Sequence, residues 1–388
     1  MAAMLDKILR IGAVALLTFG SFTLAADLRR DHPDTYVVRK GDTLWDIAAR
    51  FLEKPWLWPE IWQANPQIEN PHLIYPGDVI SLAYLRGQPR LTAERGPQAR
   101  SDELPIDTIP LSEVEPFLRK LRVVDSIDGL PHVVALEEER LRTAGGEVIY
   151  ARGIAGARPG DLYAVVRPTQ RYHISKRQGG GSHLGRATEL DFRGDRYRRD
   201  WEAHWREVNY YNRDRVELGI ELMEISTAQV TRSEGAGIDV TTLLLMDQDR
   251  EVREGDRLVR IEPRPFDLQF YPHPPKRQHD YGRMQILSVA DGLMGAGPRY
   301  VVALSGGRAD GIENGTVFSI WHPGTLAKDR VRNRHPASQD GDRVRLPDDY
   351  VGTVMVFRTF DKVSYGLVMD GIRPARVGDV LKHPDATR

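Results

Sequence analysis

The chain has 388 residues, 54 Lys and Arg against 55 Asp and Glu, and no cysteine. That length is too great for one ordinary core and predicts two to four domains. The near balance of charge gives no pull toward nucleic acid or anionic lipid, and the lack of thiols excludes cysteine nucleophiles, disulfide frameworks and a lipid-modified N-terminal cysteine.

Lys7 and Arg10, the apolar run from Ile11 to Leu24 and the small-residue pattern Thr23-Leu24-Ala25 read as a secretory signal over residues 1–25. The exported chain is expected to begin near Ala26. A membrane anchor is the competing reading, but the run is shorter than the roughly 20 apolar residues that span a bilayer. No later segment is long and apolar enough to span, so a soluble envelope protein is expected.

Residues 33–84 read as a small α+β module. Thr35 to Arg39 is β-prone, Asp42 or Thr43 can cap a helix, and Leu44, Ile47, Ala48 and Phe51 recur on one helical face. Trp58, Ile61, Trp62 and Ala64 form a second apolar set behind Pro59 and stop at Asn65-Pro66. "NPHLIYPGDVISL" (70–82) gives a loop, a Pro-Gly-Asp turn and a closing strand, for an order of strand, helix, helix, strand.

The motifs "YVVRKGDTLWDIAARF" and "WPEIWQANPQIENPHLIYPGDVI", with their spacing over residues 36–82, resemble the LysM domain. The resemblance implies a βααβ fold that binds N-acetylglucosamine-containing glycan in a shallow groove between the first strand-helix turn and the loop before the last strand. Carried onto this chain, the groove is lined by Gly41, Asp42, Thr43 and Leu44 on one side and Pro71, His72, Leu73 and Ile74 on the other. Turn amides and carbonyls there can pair with acetamido groups while apolar side chains cover sugar faces; simple core packing is the competing role for Leu44 and Ile74. "EKPWLW" (53–58) departs from the common pattern. Trp56, Trp58 and Trp62 are either a stacking platform for sugars or, the reading preferred for so small a module, buried braces of its core.

Residues 85–117 are rich in Pro, Arg, Glu and Ser without an apolar period and read as a flexible linker with a reach on the order of 30 Å. Beyond it the chain resembles itself. "LRVVDSIDGL" (121–130) matches "MQILSVADGL" (284–293), and "VIYARGIAGARPGDLYAVVRP" (148–168) matches "YVVALSGGRADGIENGTVFSIWHP" (300–323). "LGIELMEISTAQVTR" with "VREGDRLVRIEP" matches "VGTVMVFRTFDKVSYGLVMD" with "ARVGDVLKHP".

These matches predict a multidomain chain whose C-terminal region is β-rich, built from duplicated sheet or small-barrel units at 118–264 and 282–388, with a connector at 265–281. Gly160, Gly255, Gly315 and Gly378 are read as turn glycines. The first copy carries a basic, aromatic insertion at 169–216, including Trp201 and Trp205, expected as a solvated hairpin or mobile loop, with a protein-docking element as the alternative.

No HExxH, GxSxG or phosphate-loop motif is present, and the eleven histidines are scattered; His273 in "YPHPP" reads as part of a free loop. No catalytic residue, metal or cofactor is expected, and the chain is read as not an enzyme. The exported LysM module followed by the β-rich units, with "MVFRTFDKVSYGLVM" and "VGDVL", resembles the type IV pilus secretin-associated LysM proteins of Gram-negative bacteria, whose C-terminal part is similar to a flagellar basal-body ring protein. That resemblance implies a periplasmic anchor with peptidoglycan glycan strands and the outer-membrane secretin as partners, oligomeric around the secretin ring, and no nucleic acid. The alternative is a wall-remodelling enzyme, or the activator of a peptidoglycan hydrolase, targeted by its LysM domain.

Overall fold

A computed structural model describes residues 28–59, 74–85, 88–94, 106–139, 141–175, 184–185, 190, 192–196, 205–209, 215–235, 237–247, 250–261, 270–277, 284–290, 295–328 and 343–386. Strand β1 (Thr35–Val37) leads into helix α1 (Leu44–Phe51). Thr43 Oγ1 accepts from the Asp46 amide at 3.2 Å and the Asp46 carboxylate accepts from the Thr43 amide at 3.3 Å, a reciprocal cap that fixes where the helix starts. Its buried face is Leu44, Trp45, Ile47, Ala48 and Phe51. Strand β2 (Val79–Leu85) returns antiparallel to β1 with Ile80 opposite Tyr36. The second helix expected near 58–64 falls largely outside the described residues.

The expected linker at 85–117 is corrected by the structure. Strand β3 (Gln88–Glu94) pairs with β2 from Val79↔Glu94 to Leu85↔Gln88, and helix α2 (Leu111–Arg119) follows. The cause is a sparse apolar set that the polar composition hides: Leu91, Ile106, Ile109, Val114, Phe117 and Leu118 bury in the same cluster as the face of α1.

The next strands are β4 (Leu121–Val124), β5 (His132–Leu136), β6 (Val148–Arg152) and β7 (Leu162–Ser175). They continue with β8 (Leu184–Gly185), β9 (Trp205–Asn209), β10 (Arg215–Arg232), β11 (Thr241–Leu245) and β12 (Arg257–Arg260). Pairings run β11-β6-β5-β12-β7-β10, and β10 returns to β11, so six strands form a ring. Its thinnest seam is β5–β12, joined at Arg257↔His132.

The last strands are β13 (Ile286–Ala290), β14 (Val301–Ser305), β15 (Val317–His322), β16 (Leu326–Lys328), β17 (Arg343–Arg345), β18 (Asp349–Thr359), β19 (Val363–Gly371) and β20 (Val380–Lys382). Here the order is β20-β15-β18-β19-β14-β13, and a Gln285↔Val380 bridge brings β20 back to the start of β13. In pairing, β5, β6, β7, β10, β11 and β12 correspond one to one with β13, β14, β15, β18, β19 and β20.

The likeness of 121–130 to 284–293 is therefore corrected by one strand. β4 lies on β10, Ile220↔Val124 to Met223↔Leu121, whereas β13 holds the place that β5 holds in the first ring. The correspondence extends to a side-chain pair. Arg167 on β7 binds Asp256 before β12 at 2.8 and 2.9 Å, and at the matching places His322 Nδ1 lies 2.7 Å from Asp379.

One turn builds much of this framework. At 39–42, 75–78, 158–161, 253–256 and 376–379 the aspartate carboxylate of an x-x-Gly-Asp turn accepts from the amide three residues earlier, at 2.8–3.1 Å. The glycines take φ between 84° and 98°, a region that side chains disfavour. In the rings the glycine amide then bonds to a neighbouring strand, as Gly160 to Val230 O and Gly378 to Ile286 O.

Two further expectations change. β7 runs unbroken to Ser175, opposite Arg215 at the start of β10, so the insertion begins later than residue 169. Part of it is not a solvated loop: β9 pairs with β13 and β8 with β9, adding two insertion strands to the second sheet. Trp201 lies outside the described residues. Around His273 the connector docks on the second ring, with the His273 amide bonded to Gly315 O and the Val317 amide to His273 O.

The rings meet at Glu221. Its carboxylate is buried and accepts from Thr169 Oγ1 (2.7 Å), Tyr172 OH (2.6 Å), Trp205 Nε1 (2.7 Å) and Tyr365 OH (2.6 Å). Tyr365 belongs to β19, so one carboxylate from the first ring holds a phenol of the second. Phe117 of α2 packs on Trp205 and Tyr365 at centroid distances of 5.4 and 6.2 Å. Arg358, whose pKa burial lowers, caps α2 by donating to the Phe117 and Leu118 carbonyls.

Candidate functional site

The expected groove has its first lip in the turn between β1 and α1. Gly41 is exposed with φ 90°, as the turn requires. Asp42 is engaged internally: its carboxylate accepts from Tyr36 OH and from the Arg39 amide, both at 2.8 Å. Burial and the bond to Asp42 raise the Tyr36 pKa, and Arg50 lies over its ring at 4.3 Å.

Thr43 is 3 % exposed and spends its hydroxyl on the helix cap; Leu44 is 0 % exposed. On the second lip Ile74 is 1 % exposed, while Pro71, His72 and Leu73 lie outside the described residues. The side chains of Leu44 and Ile74 are thus core, and what these two residues present is backbone. Trp56 and Trp58 are buried as well, Trp58 against Tyr271 of the connector at 5.9 Å, which is the bracing role; Trp62 is outside the described residues.

Sequence reasoning missed what bridges the lips. The Leu44 amide donates to Asp107 O at 3.0 Å, and the Ile106 amide donates to Ile74 O at 2.8 Å. Two adjacent residues of the expected linker therefore join one lip to the other. Ile106, Thr108 and Ile109 are buried there. The signal that could have found them is Pro105 and Pro110 framing a stretch with two isoleucines in an otherwise polar region, since flanking prolines favour extended backbone.

Chemically the site is a backbone donor, the Leu44 N–H, and a backbone acceptor, the Ile74 C=O, held by a capped helix and a Gly-Asp turn. That complement suits a secondary amide. Among the described residues no cluster of His, Asp or Glu has the arrangement to hold a metal ion, and no helix is long and apolar enough to cross a membrane.

Comparison with protein families matches residues 36–83 to the LysM domain, so the chain contains a LysM domain followed by a β-rich region with few helices. A Bacillus subtilis (strain 168) protein described as "Uncharacterized protein YqbP" is similar over 60 residues, with 38 % identity. The similarity covers 13 % of this chain and 27 % of that protein, so the chain spans about a quarter of the length of the relative it matches. A LysM domain supports binding of peptidoglycan or a related carbohydrate through N-acetylglucosamine.

Proposed function

We propose that this chain is a non-catalytic, exported anchor that holds peptidoglycan through its LysM domain and ties an outer-membrane secretin complex, of the type IV pilus, to the cell wall. The observation that carries the wall-binding part is the pair of lips, Leu44 N–H and Ile74 C=O, set within the matched LysM segment. An acetamido group offers the complementary acceptor and donor. On this proposal the turn from Gly41 to Leu44 supplies one side of the groove and the Ile74 backbone belongs to the other, for which the sequence resemblance also names Pro71, His72 and Leu73.

The secretin is the finer part of the proposal and rests on the sequence resemblance of the C-terminal half. The two rings, locked at Glu221, suit a scaffold that must pass force from wall to complex without catalysis. Several copies around a multimeric ring would raise a weak single-site glycan affinity by avidity.

Deleting the gene and measuring secretin retained on purified sacculi tests the tether. A marked fall in retained secretin, restored by complementation, is expected. Unchanged retention would remove the secretin from the proposal.

A further inference from the structure

We infer that residues 106–109 are a built-in occupant of the LysM groove, which a glycan must displace in order to bind. The inference rests on the glycan-binding reading above and adds a competitor within the same chain.

The occupant meets both lips with the chemistry expected of a ligand. The Ile106 N–H and Asp107 C=O form a donor-acceptor pair, and they take the Ile74 C=O and the Leu44 N–H at 2.8 and 3.0 Å. An acetamido group would present the same two functions. It cannot share the lips with the segment, because the Leu44 amide has one hydrogen to give.

Apolar contacts hold the segment beside these bonds. Ile106 and Ile109 join the cluster that contains Leu44, Ile47, Phe51 and Ile74, so the LysM module completes its core with residues from outside its matched range. The occupied groove is therefore a closed state, and the apparent glycan affinity is scaled down by the fraction of molecules in which the segment has left.

The segment is also tied to the rest of the molecule. Thr108 and Ile109 lead within two residues into α2, whose Phe117 packs on Trp205 and Tyr365 and whose last turn is held by Arg358. Displacing the segment pulls on the joint between the two rings. By linkage, anything that shifts α2 on the rings must change glycan affinity by the same factor that glycan changes the seating of α2.

The test uses the chain from Ala26 to Arg388 and chitopentaose as the probe, with titration calorimetry and amide hydrogen exchange. Ile106→Asp, which breaks the apolar contact, and Ile106→Pro, which removes the amide donor, are expected to bind chitopentaose about tenfold tighter than the unaltered chain or better. In the unaltered chain, saturating chitopentaose is expected to raise exchange in peptides covering 106–109; this readout needs no variant and so does not depend on how a variant folds.

Equal affinities, with exchange over 106–109 unchanged when the sugar binds, would overturn the inference and leave the glycan-binding reading standing. No binding by any form, with circular dichroism matching the unaltered chain, would instead overturn the glycan-binding reading and the inference with it.

Discussion

Glu221 shows how much one side chain organises. Four donors converge on a carboxylate that is 1 % exposed, two from β7 of the first ring, one from the insertion and one from the second ring. Glu221→Ala would leave those donors buried without an acceptor, so a loss of about 3 kcal/mol or more is expected, read as a lowered denaturant midpoint. The same site sets alkaline behaviour. Burial, and then the Glu221 charge, raise the Tyr172 and Tyr365 pKa values well above 10. The folded chain keeps these two protons where the unfolded chain loses them, so their stabilisation is complete below pH 10 and declines as pH rises above it. Arg358 titrates in the opposite sense but is one group against two. In an absorbance titration of the 14 tyrosines, two are expected to ionise only as the protein unfolds. In the groove Thr43→Ala is expected to cost about 1 kcal/mol by losing the cap of α1.

The x-x-Gly-Asp turn is the element that local sequence displays best, because a glycine, a short carboxylate and the amide they serve lie within four residues. Its glycines and that of the related turn at 313–316, where the Thr316 hydroxyl accepts from the Glu313 amide at 3.1 Å, are not equivalent in cost. A Cβ on Gly160 meets nothing within 4 Å, so Gly160→Ala carries mainly the backbone penalty, about 1 kcal/mol. A Cβ on Gly315 would overlap the Tyr271 carbonyl and crowd His273, so Gly315→Ala is expected to lower the melting temperature by clearly more. An equal loss for the two would count against the docking of the connector on the second ring. The capped start of α1 was legible for the same local reason. α2, β3 and the 106–109 segment were not, since each carries only a few apolar residues in a polar stretch; β3 is held by its hairpin with β2, and the other two by partners far away in sequence. The strand β4 looked like β13 because both are short apolar runs followed by Asp-Gly-Leu; only pairing partners separate them. For the groove, the sequence left open whether the side chains of Leu44 and Ile74 meet a sugar or pack in the core, because that depends on which distant residues cover them, and their burial assigns them to the core.

At the scale of the molecule, the chain joins a LysM domain to two six-strand rings of matching pairing order, with α2 and the insertion strands packed into their joint. Apolar residues of the LysM module, the 106–109 segment, α2 and both rings share one cluster, and Arg299 of the second unit reaches Asp46 of α1 at 3.3 Å. The LysM domain and the β-rich scaffold are thus packed against each other through these residues. On the function proposed above, this chain binds wall glycan without cleaving it. The most direct test mixes the chain from Ala26 to Arg388 with isolated sacculi, pellets them with and without chitopentaose as competitor, and assays the supernatant for muropeptides. Sedimentation that rises with sacculus concentration, release by chitopentaose and no muropeptides are expected; protein that stays in the supernatant at every sacculus concentration would show that the chain does not bind wall glycan, and muropeptides released into it would show that it cleaves it.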